Sequence, residues 1–263
     1  MKRYLEYLAI ILLATSAIVL IALQMKILGW LLLGTGIIVL FFCHKQFRKD
    51  LLLIYFCLGL LGITPITTDI SYQHTFIMGG LLSVAVLVPY LVSRFIYKDY
   101  LVKFRFHHGR NWYRSEIAYI LLTGIVAYLF LPIMLKGSGS YLNWTVAPGT
   151  ENLIKLFIGT NALGIWDELF FVSTVLGILR RHLSFPVANL AQSVLFTSFL
   201  YELGFRGWAF LVIFAFALIQ GYVFKKTDSL LYVITIHLVA DFILYLVLIY
   251  LHHPTWVPIF ITG

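Results

Sequence analysis

Five ionisable side chains occur inside long apolar runs of the sequence, namely Asp167, Glu168, Glu202, His237 and Asp241. The other seven acidic residues lie near the ends of such runs or between them. An ionisable group in hydrocarbon costs between about 3 and more than 10 kcal/mol, so it is kept where it faces a partner or a wet cavity. Five such groups on three nearby runs could satisfy one another only by converging, which predicts a functional site.

Carboxylates beside a histidine can activate water for hydrolysis. A carboxylate held away from bulk water can act as a general base, and the imidazole can orient the water or stabilise a tetrahedral intermediate. A divalent metal held by Glu168, Glu202, His237 and Asp241 is the second reading, and this oxygen-rich set would suit Mn or Fe as readily as Zn. We rank water activation without a metal first, and the pattern requires no cofactor. A polar cluster that only holds the helices together is the structural alternative.

Spacing supports convergence of four of these residues. His237 and Asp241 are four residues apart and therefore share one face of a helix. Asp167 and Glu168 precede the basic pair at 180–181 by about 12 residues, or roughly 18 Å at 1.5 Å per residue. His237 follows the basic pair at 225–226 at a similar depth.

Glu202 is the uncertain member of this set. It follows Pro186, near the start of its run, by 16 residues, which places it nearer the other membrane edge. It joins the other four only if its helix tilts or begins deeper in the membrane.

The composition predicts an all-α, polytopic integral membrane protein. The chain has 263 residues, of which 61% are hydrophobic and 11% charged, and a mean hydropathy of +0.95. Such a chain carries too little charge for a soluble domain, and its apolar runs are near the 20 residues that cross about 30 Å of hydrocarbon. We predict nine transmembrane helices, at about 5–23, 27–43, 51–66, 76–95, 116–135, 152–179, 186–203, 208–224 and 229–251.

The net charge of +8 does not indicate nucleic-acid binding, because nearly all Lys and Arg lie in short connections between apolar runs. If all nine runs cross and the N-terminus is cytoplasmic, 15 basic residues fall inside and only 4 outside. Cytoplasmic connections carry an excess of Lys and Arg, so this bias predicts an N-in, C-out orientation. The four outside are Lys26, Lys136, Lys155 and Arg206.

The chain divides into five N-terminal spans (1–150) and a core with the buried acids (151–263). The first part includes a basic, aromatic-rich cytoplasmic segment at 95–115. Such a segment suits anionic lipid headgroups, although an ordinary cytoplasmic loop with interfacial aromatics is an equal alternative.

From Asp167 onward the sequence resembles the CPBP family of membrane proteases, which includes enzymes that trim prenylated CaaX proteins and bacteriocin-related immunity proteins. The resemblance covers roughly residues 155–250, and the final His-x-x-x-Asp is its most specific part. Its segments are Asp167-Glu168-Leu-Phe-Phe-Val172, the helix around Phe196 to Glu202, Gln220-Gly221 through Thr227-Asp228-Ser229-Leu230, and His237-Leu-Val-Ala-Asp241.

Three positions depart from the family pattern. Asp167 replaces the leading Glu, Val172 replaces the motif Arg, and Leu200 stands where the second motif has His. Tyr201 and Glu202 follow that position directly, and Arg206 lies one turn further, so these three are possible supporting residues. Glu202 could stand in for the missing His, and Arg206 could supply the missing cation.

The resemblance implies an intramembrane endopeptidase of the cell membrane that cleaves a membrane-embedded or lipidated peptide or protein. It assigns Asp167 or Glu168, or both, as base, with His237 and Asp241 positioning water or stabilising the oxyanion. The departures favour an alternative, an inactive immunity or scaffold protein of the same fold. A proton- or cation-coupled transporter is a weaker alternative, because the sequence shows no inverted repeat and its buried polar groups lie in one part of the chain.

Overall fold

The computed structural model describes residues 2–106 and 111–261, and this part of the chain is helical with no strand. Residues 107–110, within the predicted basic segment, lie outside the described residues. Nine long helices follow one another in the described part. They are α1 (Lys2–Ala17, continued by a π-helical turn Ile18–Ala22), α2 (Lys26–Phe42), α3 (Lys45–Ile63), α4 (Tyr72–Leu91, continued by Val92–Ile96), α5 (Arg114–Ser138), α6 (Thr150–Asp167, continued by Glu168–Val175 and Leu176–Arg180), α7 (Phe185–Glu202), α8 (Ala209–Thr227) and α9 (Leu230–His252).

Each helix coincides with a predicted apolar run, and local chemistry sets several ends. The Ser71 side chain accepts a hydrogen bond from the backbone N–H of His74 at the start of α4. Ser229 does the same for Tyr232 at the start of α9. Gly139 ends α5 in the left-handed region, with φ at 70°, where glycine is favoured because it has no Cβ.

Six helices are long and apolar enough to cross a membrane: α1, α4, α5, α6, α8 and α9. The other three helices are shorter or less apolar. Helix α2 has 17 residues, α3 begins with charged residues, and α7 carries several amides and hydroxyls. A multi-pass, all-helical protein is therefore confirmed. The count of nine crossings and the N-in, C-out orientation stay predictions.

Alternate connections meet at one end of the helix bundle, which we call the basic end (43–45, 97–106, 181–184 and 228–229). Asp99 accepts from Lys49 at 3.3 Å and from Arg181 at 2.9 Å. Arg105 forms an ion pair with Asp228. These contacts join the starts or ends of α3, α4, α6 and α8.

The remaining connections meet at the opposite end (23–25, 64–71, 139–149 and 203–208). The backbone N–H of Ile66 donates to Glu202 at 3.0 Å, and Thr68 donates to the carbonyl of Asn143. Asn143 in turn donates to the carbonyl of Leu203 at 2.7 Å. This alternation is the arrangement expected of antiparallel neighbouring helices.

An aromatic cluster fixes α6 within the bundle. Trp166 stacks on Phe170 with ring centroids 4.9 Å apart and contacts Phe199 of α7 at 4.8 Å. The Trp166 indole N–H donates to the carbonyl of Leu82 on α4 at 2.8 Å. Because Trp166 immediately precedes Asp167, these contacts determine where the two adjacent acids lie.

Candidate active site

A change of helix type occurs at the two adjacent acids of α6. Asp167 is the last residue of the α-helical part, and Glu168 is the first of a π-helical stretch that ends at Val175. The hydroxyl of Thr174 donates to the carbonyl of Leu169, five residues earlier, at 2.9 Å. Both acids are buried, at 1% and 0% exposure, and π-helical segments occur often at functional sites.

Glu168 holds His237 of α9 in place. The Nδ1 of His237 lies 2.7 Å from Oε1 of Glu168, and the amide Nε2 of Gln220 donates to the same oxygen at 2.8 Å. With Glu168 as carboxylate, the imidazole donates through Nδ1, which fixes both the ring orientation and the tautomer. The Nε2 atom is therefore the one available on the other side of the ring.

Two further carboxylates face that side of the imidazole. The Nε2 of His237 lies 4.0 Å from Oδ2 of Asp167 and 3.7 Å from Oδ1 of Asp241. The ring also meets Phe216 of α8 edge-on, with centroids 5.1 Å apart, so an aromatic wall supports its position. In this cluster Glu168 therefore contacts the Nδ1 side of the His237 ring, and Asp167 and Asp241 lie on its Nε2 side.

Gly164, one turn before Asp167, makes room for this cluster. A Cβ at position 164 would overlap the carboxylate of Asp241 and lie 3.1 Å from Cδ2 of His237. The close approach of α6 and α9 at the site therefore depends on a residue without a side chain.

The cluster opens on a cavity of about 120 Å³. Asp167, His237 and Asp241 line the cavity, whereas Glu168 does not. Within the described chain, Oδ1 of Asp167 and Oδ2 of Asp241 are buried and have no hydrogen-bond partner. The rest of the wall is mostly apolar and includes Leu131, Met134, Leu200, Val212, Ile213, Phe216 and Leu244.

The structure brings together four of the predicted site residues and separates the others from them. Asp167, Glu168, His237 and Asp241 are mutual neighbours, as the distances above show. Glu202 instead accepts from Ile66 and lines a different pocket at the opposite end. Tyr201 and Arg206 lie at the same end as Glu202. The Nε of Arg206 donates to the Tyr201 carbonyl at 3.5 Å.

The predicted metal-ligand set is not assembled. Glu202 lies away from Glu168, His237 and Asp241, and Oε1 of Glu168 is already engaged by His237 and Gln220. Among the residues that the structure describes, no group of three or more His, Cys, Asp or Glu is arranged to hold a metal ion. The geometry therefore does not fit the metal reading, and we derive no step through a metal.

The structure also shows what occupies the positions that depart from the motif. Val172 is completely buried, and Gln220 provides Glu168 with a donor in place of the motif Arg. Leu200 lines the cavity as an apolar residue. Gln220 was not among the predicted site residues. Its signal was an amide inside the apolar run of α8.

One comparison with known proteins gives a match. Residues 149–243 match the family model described as Type II CAAX prenyl endopeptidase Rce1-like. This segment is similar to that family. It contains all four clustered residues, and it confirms the resemblance to the CPBP family. No curated protein and no solved structure shows significant similarity to the chain.

Proposed function

We propose that this protein is an intramembrane endopeptidase that hydrolyses a peptide bond of a membrane-associated substrate. The observation that carries the proposal is the convergence of Asp167, His237 and Asp241 on the wall of a mostly apolar cavity. The match of residues 149–243 to the Rce1-like family model supports this proposal, because that family is described as a CAAX prenyl endopeptidase.

Asp167 is the proposed general base. Its Oδ1 is buried without a hydrogen-bond partner within the described chain, and its side chain lines the cavity. In the proposed step, Asp167 takes a proton from water while the water oxygen attacks the peptide carbonyl. The proton then passes to the leaving amine as the C–N bond breaks, so that one water is consumed for each bond cleaved.

His237 and Asp241 are proposed to act on the tetrahedral intermediate and the attacking water. A donor placed where negative charge develops stabilises the transition state more than the ground state. In the imidazolium form of His237, Nε2 also carries a proton and can donate to the oxyanion. Asp241 lies 3.7 Å from this Nε2 atom. Glu168 is a positioning residue in this scheme, because it contacts His237 from behind and does not line the cavity.

The proposed substrate presents an apolar group to the cavity. Most of the cavity wall is aliphatic or aromatic, with Trp144, Phe205 and Phe216 among the lining residues. A lipidated or membrane-embedded peptide matches such a wall, and the family description specifies prenyl substrates. We place the protein in the cell membrane, with residues 1–150 as five spans that precede the catalytic core.

Cleavage by the purified protein in lipid nanodiscs tests the proposal. The substrates are a prenylated CaaX peptide and a set of transmembrane peptides, and product is detected by mass spectrometry. We expect wild-type protein to cleave, and Asp167→Ala, Glu168→Ala and His237→Ala to lose most activity. Glu151→Gln, which changes an exposed carboxylate at the start of α6, serves as the matched control. Equal activity in all of these proteins would overturn the proposal.

A non-hydrolytic protein of the same fold is the second candidate. The observation that favours it is the apolar Leu200 in the cavity wall, at the position of the motif histidine. In that case the Asp167 and His237 variants would retain the protein's biological effect in cells at equal expression level. Proton-dependent uptake into proteoliposomes would instead support the transporter alternative.

Anionic lipid binding is proposed for the basic segment. Arg94 and Lys103 line a pocket of about 310 Å³ together with Tyr90, Tyr100 and Phe104. Exposed basic side chains among aromatics suit a headgroup phosphate. Stronger binding to liposomes that contain phosphatidylglycerol than to neutral ones would support this.

A further inference from the structure

A second pocket lies at the opposite end of the bundle, away from the catalytic cluster. It measures about 570 Å³ and is lined by polar residues that include Gln24, Thr67, Asp69, Asn143, Glu202 and Arg206. The loop between α3 and α4 forms one side, and the end of α7 forms the other. We call it the Glu202 pocket.

Glu202 is a buried carboxylate with one oxygen uncommitted. The residue is 7% exposed, and Oε1 accepts from the backbone N–H of Ile66 at 3.0 Å. Oε2 is buried and has no hydrogen bond of normal geometry in the described part of the chain. The side-chain amide of Gln24 lies beside the carboxylate but donates to the carbonyl of Ile21 at 2.7 Å. A buried charge without a partner is costly, so this oxygen indicates a ligand that donates to it.

Two cations, Lys26 and Arg206, are close enough to Glu202 to act on its charge, but both donate their hydrogen bonds to backbone carbonyls. Lys26 donates to the carbonyl of Gly62 at 3.2 Å. Arg206 is exposed and donates to the carbonyl of Tyr201, and its guanidinium lies 5.8 Å from the centre of the Tyr201 ring. Within the described chain neither cation forms an ion pair with Glu202, and Asp69 adds a second carboxylate to the pocket wall.

The Glu202 pocket adjoins a groove that also borders the catalytic cavity. A groove of about 440 Å³ runs between α4 and α6. It shares Thr67 and Asp69 with the Glu202 pocket, and it shares Trp144 and Leu163 with the catalytic cavity. A peptide lying in this groove would place one side chain at the Glu202 pocket and lie against the residues that also line the catalytic cavity.

We propose that the Glu202 pocket is a specificity subsite that binds the ammonium group of a lysine in the peptide substrate. This inference rests on the proposed endopeptidase function. An ammonium is a compact charge with three donors and can bond Glu202 through a single oxygen. A guanidinium fits less well, because its preferred two-pronged contact needs both carboxylate oxygens, and Oε1 is already bonded to Ile66.

Binding and cleavage are measured on the full-length protein in nanodiscs. The probes are the peptide Leu-Leu-Lys-Leu-Leu-amide, with a fluorophore on its N-terminal amine, and its analogue with norleucine in place of lysine. Norleucine keeps the aliphatic chain and removes the charge. We expect wild type to bind the lysine peptide about tenfold more tightly, a ratio within the range of one charged hydrogen bond.

Glu202→Gln should reduce this ratio to about one, because glutamine keeps an oxygen for Ile66 but removes the negative charge. Glu151→Gln should keep the ratio, since Glu151 is an exposed carboxylate that pairs with Lys155 outside the pocket. Circular dichroism and elution volume verify that each variant is folded. If Glu202→Gln does not fold, Asp69→Asn and competition by methylammonium chloride replace it.

A wild-type ratio near one, or an unchanged ratio in a folded Glu202→Gln, would overturn the subsite. Binding reports on the subsite even if neither peptide is cleaved. Absence of cleavage of every tested substrate, with the lysine preference in binding intact, would count against the proposed hydrolysis and leave the subsite standing.

Discussion

Asp167 and Glu168 are adjacent in the chain, but their carboxylates have different surroundings. Asp167 lines the cavity, and its Oδ1 has no partner in the described chain, whereas Glu168 is bonded to both His237 and Gln220. A group that touches the reacting water and a group that orients a catalytic side chain contribute differently to rate. The two substitutions should therefore have effects of different size.

We predict that Asp167→Asn lowers kcat about 100- to 10,000-fold, the range for loss of a general base. Glu168→Gln should lower it about 10- to 100-fold, by analogy with partners that orient a functional histidine. Single-turnover cleavage in nanodiscs measures both. The larger loss in Glu168→Gln would contradict the assignment of Asp167 as base.

Gly164→Ala should disable the site without altering any ionisable group. The new Cβ would displace the Asp241 carboxylate and press on His237, and a displacement of about 1 Å can cost on the order of 100-fold in rate. Gly177→Ala on the same helix is the control, because a Cβ there meets nothing within 4 Å and the position lines neither the cavity nor the groove. Equal cleavage rates for the two variants would show that the close approach is not needed.

The sequence predicted four of the cluster residues because charged groups in an apolar run must find partners, and the i, i+4 spacing placed two on one face. The depth of Glu202 along its run also indicated that it lies nearer the other membrane edge, but its hydrogen bond with Ile66 was not predicted, because it depends on how the loop at 64–71 folds over the end of α7. The role of Gln220 also depended on a contact with Glu168, 52 residues away in the chain. Such contacts leave no local periodic signal.

At the scale of helices, apolar runs and their polar interruptions were enough to predict all nine described helices. Their ends agree within about four residues, except that α3 begins at Lys45, six residues before the predicted start. The π-helical stretch Glu168–Val175 was not predicted, because the hydrophobic pattern of a buried helix is apolar all round and does not report its local pitch. The stretch matters to function, since it begins at Glu168 and changes which residues of α6 face α9.

Packing of α7 against α8 provides a stability prediction. A Cβ at Gly221 would overlap the Oδ1 of Asn189 and lie 3.1 Å from the Nε2 of Gln192, and both side chains bond carbonyls of α8. Gly221→Ala should destabilise the protein by about 1–3 kcal/mol, as overpacking does. Gly177→Ala, which meets nothing within 4 Å, controls for helix propensity. Thermal unfolding in detergent measures the difference, and a Gly221→Ala protein at least as stable as this control would contradict the packing.

At the basic end, Asp99 joins the connection after α4 to helix α3 and to the connection after α6. Its ionisation should make the free energy of unfolding depend on pH. Burial opposes its charge, but hydrogen bonds from Arg181, Leu101, Lys49 and Ser93 lower its pKa from 3.8 to about 2. A folded-state pKa below the unfolded value stabilises the protein above pH 4, and this stabilisation is lost as pH falls through about 2.

We therefore expect Asp99→Asn to lower the unfolding temperature at pH 7, by an amount that corresponds to about 1–2 kcal/mol. The gap between wild type and variant should shrink as the pH falls from about 4 toward 2. Asp69→Asn is the comparison and should show a smaller gap, because Asp69 is exposed and its hydrogen bonds are to Ser71 within the same loop. A gap that does not change between pH 7 and pH 2.5 would contradict the role of the Asp99 carboxylate.

For the molecule as a whole, the alternation of connections between two ends agrees with the charge bias of the sequence. The basic end holds the connections with most of the Lys and Arg residues, and the opposite end holds the Glu202 pocket. If all nine helices cross, the basic end faces the cytoplasm. The Glu202 pocket and the groove beside it would then face the outer side, which predicts that substrates are presented there.

Cysteine labelling in intact cells tests this orientation. Leu142→Cys introduces a thiol at a residue 70% exposed in the connection between α5 and α6, and Lys103→Cys introduces one at the basic end. A membrane-impermeant maleimide should label Leu142→Cys in intact cells and Lys103→Cys only after permeabilisation. Native Cys43 and Cys57 are buried, so the wild-type background should be low. Labelling of both sites in intact cells, or the reverse order, would mean that fewer helices cross or that the orientation is inverted.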